Sequence, residues 1–217
     1  RCLSRGLGDV YKRQENNRGM NNTKVFGNTL INVPAPELVK NGLILSPKLN
    51  VYDREEERNK ENASDIDRDV VLDILDDIEE DTNAKVLVSA PNTRVLWSML
   101  AQTDIITELK SRDYDIMHIT AKHGAYINRQ KVRRDKFFDT LSQWGEDDDK
   151  KFILFHYSIL SEGINVRGLT HSVLLRNLPV IEMAQTIGRV IRLHKYDYQD
   201  IQDLSLIHIS EPTRQAS

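Results

Sequence analysis

Arg189 and Arg192 stand three residues apart in the segment QTIGRVIRLH at 185–194, directly after Gly188. Ile181, Ala184, Ile187, Val190 and Ile191 recur at helical spacing, which predicts a helix from about 180 to 193 with one apolar face. Residues three apart on a helix share a face, so the two guanidiniums project together, with Gln185 one turn before Arg189. Two cations on so short a stripe repel each other unless an anion lies between them. Guanidinium forks match phosphate oxygens, and a triphosphate is an anion of that kind. The plain alternative is a solvated helix with two surface arginines.

The pattern Q-x-x-G-R-x-x-R resembles motif VI of the superfamily 2 helicases, the RecA-like nucleic-acid motors. Upstream, SEGINV at 161–166 is similar to their motif V, and the stretch between the two holds one apolar strand, as in that family. The resemblance covers about residues 24–200. It implies ATP in a cleft between two RecA-like domains. Arg192 is then the arginine finger that reaches the γ-phosphate, Arg189 its companion, and Gln185 and Gly188 line the nucleotide from the same helix. Gly163 lets the backbone approach the nucleotide, since it has no Cβ. Asn165 takes a position that is often an aspartate near the ribose hydroxyl or the catalytic water. One departure stands out. Where the family often has a threonine on backbone phosphate, six residues before Gly163, this chain has Tyr157, with Ser158 beside it as the replacement contact.

The sequence contains no G-x-x-x-x-G-K-[ST] loop and no D-E-x-[DH] box. By resemblance it is the second motor domain alone, partnered by an N-terminal RecA-like domain of the same protein. ATP and Mg2+ are the expected cofactors, with the metal's ligands in that first domain. Opening motif VI with Gln is closer to phage and bacterial DNA helicases, including phage recombination helicases and restriction-enzyme motor subunits. DEAD-box RNA helicases usually open it with His, so DNA is expected over RNA. Three alternatives stay open: a type I or type III restriction motor, an RNA helicase domain, and a nucleic-acid-binding module without an ATP role.

The 217 residues allow one domain of ordinary size with appendages. Hydrophobic residues at 39% with 29% charged describe a globular chain, and no apolar run is long enough to span a membrane. No secretory signal opens the sequence, and the single cysteine, Cys2, excludes an intrachain disulfide framework. A reducing cytoplasm, in a bacterial cell or a phage-infected host, is the expected compartment. The net charge of −3 conceals a division. Residues 53–81 hold 14 Asp/Glu against 4 Lys/Arg, while the remainder holds 26 Lys/Arg against 19 Asp/Glu. The part with the motifs is therefore basic, as a phosphate-binding surface is.

The elements that must position these residues alternate along the chain. A strand or strand pair is expected at 24–33, broken by Pro34 and Pro36, then a short helix at 37–41 and a brief apolar run at 43–45. By resemblance this stretch, 15–52, is the end of the first motor domain and the joint to the second. A charged linker follows, and Ser64, with Asp67 three residues on, is the expected cap of a helix buried through Ile66, Val70, Val71, Ile74, Leu75 and Ile78. The carboxylates Asp73, Asp76, Asp77, Glu79 and Glu80 read as its solvated face, since they lack the spacing and glycine of a calcium loop.

Apolar strands are expected at 85–90, 114–120, 151–157 and 170–176, as buried strands of a mainly parallel sheet. Asn92, Thr93 and Arg94 follow the first at once and resemble motif IV, whose loop touches the nucleic-acid backbone. They also fit a plain helix cap. After the second strand comes a basic turn with His123 and Gly124. A helix is expected next, presenting Arg129, Lys131, Arg133, Arg134 and Lys136 outward, either to phosphates or only to water. The histidines show no metal-ligand spacing, and no metal site is expected. The fold class is α/β, a three-layer RecA-like domain of the P-loop NTPase type with a mainly parallel sheet, over 53–203. Residues 1–14 and 204–217 resemble translated adapter sequence or poorly ordered tails and are left out of the fold reading.

Overall fold

In the computed structural model the described residues are 34–53, 56–81, 83–157, 168–176, 186, 188 and 205–211. The strands are β1 (Pro47–Asp53), β2 (Lys85–Ser89), β3 (Asp115–Thr120), β4 (Gly124–Ile127), β5 (Gln130–Val132), β6 (Phe152–His156), β7 (His171–Leu174) and β8 (Ser205–Glu211). The helices are α1 (Ala35–Lys40), α2 (Ala63–Asp77), α3 (Thr93–Gln102), α4 (Ile105–Ser111) and α5 (Arg134–Glu146). The strand pair expected at 24–33 lies outside the described residues.

The sheet order is β1-β8-β7-β2-β6-β3-β4-β5. Neighbours from β1 through β3 are parallel, and β4 and β5 add an antiparallel hairpin at one end. Every residue of β2 and β6 is buried, which is why both read as unbroken apolar runs. Side chains alternate between the two faces of a strand. Val86, Val88, Ile116, Ile153, Phe155 and Val173 pack on one side against α2, α3 and α4. Leu87, Met117, Ile119 and Leu154 pack on the other against Phe137 and Leu141 of α5. The result is the three-layer α/β arrangement with a mostly parallel sheet.

Several local expectations are corrected. Helix α2 begins at Ala63 rather than behind Ser64, with Asn62 at the cap position and no side-chain cap. The Asn62 side chain is used within the preceding turn, where its oxygen accepts from the Asn59 amide at 2.8 Å. Asp67, expected in the capping box, is buried at 3% exposure and bonded at 2.6 Å to Arg58, which also donates to the Leu175 carbonyl at 3.1 Å. The charged linker is therefore stitched to the end of β7. Asp76 pairs with Arg112, and Asp77 accepts from the Tyr52 hydroxyl at 2.5 Å.

The larger correction concerns the stretch from the basic turn at Gly124 to Val132, where a helix is expected after the turn with Arg129 and Lys131 on its basic face. These residues form the β4–β5 hairpin, turning at Asn128 and Arg129, whose φ angles are 46° and 70°. Two left-handed residues in succession make the turn that suits a two-residue hairpin. Asn128 secures it by donating to Asp115 at 2.6 Å and accepting from the Ile116 amide at 2.9 Å. Only Arg134 and Lys136 of the expected basic face stand on α5.

Two segments outside the expected domain join its sheet. β1 runs up to Asp53, the residue at which the domain is expected to begin. Ser205–Glu211, set aside as tail, pairs in parallel with β1 and β7. No helix among the described residues is long and apolar enough to cross a membrane.

Candidate nucleic-acid interface

In an open parallel sheet, ligands meet the loops at the carboxyl ends of the strands. Here β2, β3, β6 and β7 all point their carboxyl ends the same way. β2 runs out into Ala90, Pro91 and Asn92. Asn92 is extended, with φ −163° and ψ 168°, and its side-chain oxygen accepts from the Val95 amide at 2.8 Å. The cap reading of Asn92 therefore holds, and Arg94 stands exposed in the first turn of α3. The first amides of α3 face the same edge, where a helix N-terminus favours an anion.

β3 ends at Thr120, whose hydroxyl accepts from the His123 amide at 3.0 Å and shapes the basic turn. Gly124 follows at φ +85°, a conformation that glycine adopts without strain. His123 lies stacked on Trp97 of α3, with ring centroids 4.4 Å apart and planes 20° from parallel. Asn92, Thr93, Arg94, His123 and Gly124 are thus brought to one edge, together with Arg133 at the cap position of α5. Arg129 is not among them. The turn that carries it is bonded to Asp115 and Ile116, at the opposite end of β3.

Behind this edge the histidines are built into the fold. His156 shares a 2.8 Å hydrogen bond with the Ser89 hydroxyl across β2 and β6, and His171 bonds Thr170 at 2.8 Å. His118 is buried, which pushes its pKa down to about 4, with His123 adding to the effect. Among the described residues no three His, Cys, Asp or Glu side chains gather to hold a metal ion.

Sequence reasoning missed Trp97, whose position three residues after Arg94 puts both on one face of α3. Of the expected nucleotide-contacting residues, Gly188 is described: it is helical, and apart from its chain neighbours and its own helix backbone no heavy atom of the described residues lies within 4 Å of where its Cβ would stand. Gly163, Asn165, Gln185, Arg189 and Arg192, and with them Ser158, lie outside the described residues.

The fold is that of the RecA-like domains of helicases. The chain is similar to the fragment structure of a putative HsdR subunit of a type I restriction enzyme from Vibrio vulnificus, with a TM-score of 0.62 and 17% identity over 88% of this chain and 36% of that one. It is also similar to the ATP-dependent Type ISP restriction-modification enzyme LlaBIII bound to DNA, with a TM-score of 0.55 and 13% identity over 89% of this chain and 14% of that one. For the DUF1998 helicase MrfA bound to DNA the TM-score is 0.50, with 13% identity over 76% of this chain and 20% of that one. This chain therefore spans at most 36% of the length of these proteins. The sequence matches no protein-family model and no curated protein.

Proposed function

We propose that this chain is the second motor domain of an ATP-dependent DNA helicase or translocase. It contributes the far wall of the ATP site and half of the nucleic-acid track. The observation that carries the reading is a coincidence of order. SEGINV follows the carboxyl end of β6, Q-x-x-G-R-x-x-R follows that of β7, and the motif IV-like residues follow that of β2. The three strands that precede these motif-like segments in sequence end at one edge of a sheet whose fold is found in nucleic-acid motors.

In this reading Arg192 stabilises charge that grows on the transferred phosphoryl group, and Arg189 holds the same phosphate from one turn away. Gln185 and Gly188 line the nucleotide from that helix, Gly163 lets the backbone approach it, and Asn165 serves the ribose hydroxyl or the catalytic water. ATP, when bound, supplies the phosphoryl group, and Mg2+ is held by a first motor domain. An arginine finger of this kind is worth about 10³–10⁵ in rate. Asn92, Thr93, Arg94, His123 and Gly124, with Ser158, hold the strand along the edge.

The test is turnover and nucleotide affinity measured on the same folded samples of this chain joined to a first motor domain. Arg192→Ala should remove most turnover and leave ATP affinity largely intact, because a finger acts on the transition state more than on the ground state. Arg192→Lys should rescue poorly, since a point charge cannot form the bidentate fork. Equal turnover in all three proteins would sink the assignment. The second reading is the motor of a restriction complex. The likeness to the HsdR fragment favours it.

A further inference from the structure

We propose that Trp97 and His123 form a stacking platform for an unpaired base of single-stranded nucleic acid, with Arg94 and Lys131 beside it for the flanking phosphates. The inference rests on the nucleic-acid reading above and names what the strand does at this point of the track.

The platform is assembled from three elements. α3 supplies Trp97, which is 37% exposed, and Arg94 one turn earlier on the same face. The turn after β3 supplies His123, lying flat on the indole at 4.4 Å. The sheet supplies a row beneath. His118 of β3 faces Tyr126 of β4 with centroids 4.6 Å apart and planes 13° from parallel, and Tyr126 faces Lys131 of β5 in register. Trp97 meets both rings of that row edge-on, at 6.0 Å from each. The aromatic surface is therefore held in place from below and from the side.

A base cannot enter between Trp97 and His123, because two rings at 4.4 Å are already in contact. It must add to an outer face of the pair. Every base offers a π-face, so such a contact tolerates sequence, as a motor's track must. The cations are suitably placed. Arg94 and Lys131 are exposed, and the Lys131 chain runs over Gly124, with its Cε 3.5 Å from where a Cβ would stand. Cations at the rim and rings at the centre are the combination that binds single strands.

The chain has two tryptophans, so Trp144→Phe leaves Trp97 as the sole indole reporter. The 217-residue chain with that substitution is titrated with a short adenine-containing oligonucleotide and with an abasic oligonucleotide of equal length and charge. The base-bearing strand should quench Trp97 fluorescence to saturation, and the abasic strand should not. Trp97→Leu and His123→Ala should each weaken the base-bearing strand by about 5- to 150-fold, with an unchanged slope of log affinity against log salt. Should Trp97→Leu fail to fold, the quenching experiment and His123→Ala decide alone. Equal binding of both strands without quenching would overturn the platform and leave the track standing on phosphate contacts. Binding of neither would overturn the platform and the nucleic-acid reading together.

Discussion

Gly168 approaches Gly145 so closely that a Cβ at position 168 would stand 2.0 Å from the Gly145 carbonyl oxygen. Gly168 also holds φ +74°, in the left-handed region. The contact joins the end of α5 to the loop that enters β7. Gly168→Ala therefore meets two separate obstacles. The backbone conformation alone costs about 1–2 kcal/mol, and the overlap falls on main chain, which cannot rotate away. The urea midpoint should drop clearly below that of wild type. A midpoint within error of wild type would mean that the two glycines are not in contact in solution.

The same corner is fastened by Lys85. Its buried ammonium donates to the Gly145 carbonyl at 2.8 Å and to the Asp147 carbonyl at 2.6 Å. Lys85→Met keeps an apolar stem of similar length and takes the ammonium from both carbonyls. The Asp147 carbonyl still accepts from the Lys150 amide at 3.2 Å, so the loss falls mainly on the Gly145 carbonyl, at a cost of roughly 1–3 kcal/mol. Combined with Gly168→Ala it should be non-additive, because both act on the end of α5. Strict additivity in a double-mutant cycle would show that the two contacts are independent.

Arg129 tests the hairpin. It holds φ 70° without being glycine, and its turn lies at the far end of β3 from Arg94. Arg129→Gly should stabilise the fold by roughly 0.5–1 kcal/mol, since an Asn-Gly pair suits this turn and the gain exceeds the added chain entropy. Binding of single-stranded DNA should not change. A large loss of binding would put Arg129 back on the track.

Two buried groups give stability opposite pH dependences. His118 has a folded pKa of about 4, below the ordinary 6.5, mainly because burial disfavours its charged form. Its contribution is full above pH 6.5 and is lost as the pH falls toward 4. Asp67 is pushed up from 3.8 to about 7 by burial, against the pull of Arg58. Its contribution is present below pH 3.8 and is lost as the pH rises through about 7. Relative to wild type, His118→Phe should therefore gain stability as the pH falls, and Asp67→Asn should gain as it rises. Urea midpoints across this window check both signs, and parallel curves would clear these residues of any part in the pH response.

The parallel core was legible because β2, β3, β6 and β7 are buried almost throughout, and runs as short and apolar as KVLVS and FILFH fit strands buried on both faces of a sheet. Helix α2 was legible from its stripe. Its start was not, because Asn62 spends its side chain on the turn before the helix. The hairpin was hidden by Arg129. A glycine there would have announced a two-residue turn, whereas an arginine among basic neighbours read as one face of a helix. That misreading also grouped Arg129 with residues at the opposite end of the sheet. Asn92 and His123 were visible as loop residues behind strands. Trp97 was not, because an aromatic in an apolar helix reads as core unless the rings it touches are known.

The sheet order has a consequence for how the chain is made. β6 lies between β2 and β3, yet both flanking strands precede it in sequence, and β7, the other neighbour of β2, comes later still. A chain emerging from the ribosome therefore presents two apolar strands with a vacant lane between them, and β2 has no partner among the strands already made. The hairpin can close on β3 early, but the centre of the domain must wait for residues 152–156. Until then the edges of β2 and β3 are open to pairing with other nascent chains, which makes the interval before β6 emerges the moment of greatest exposure to misassembly and to chaperone capture.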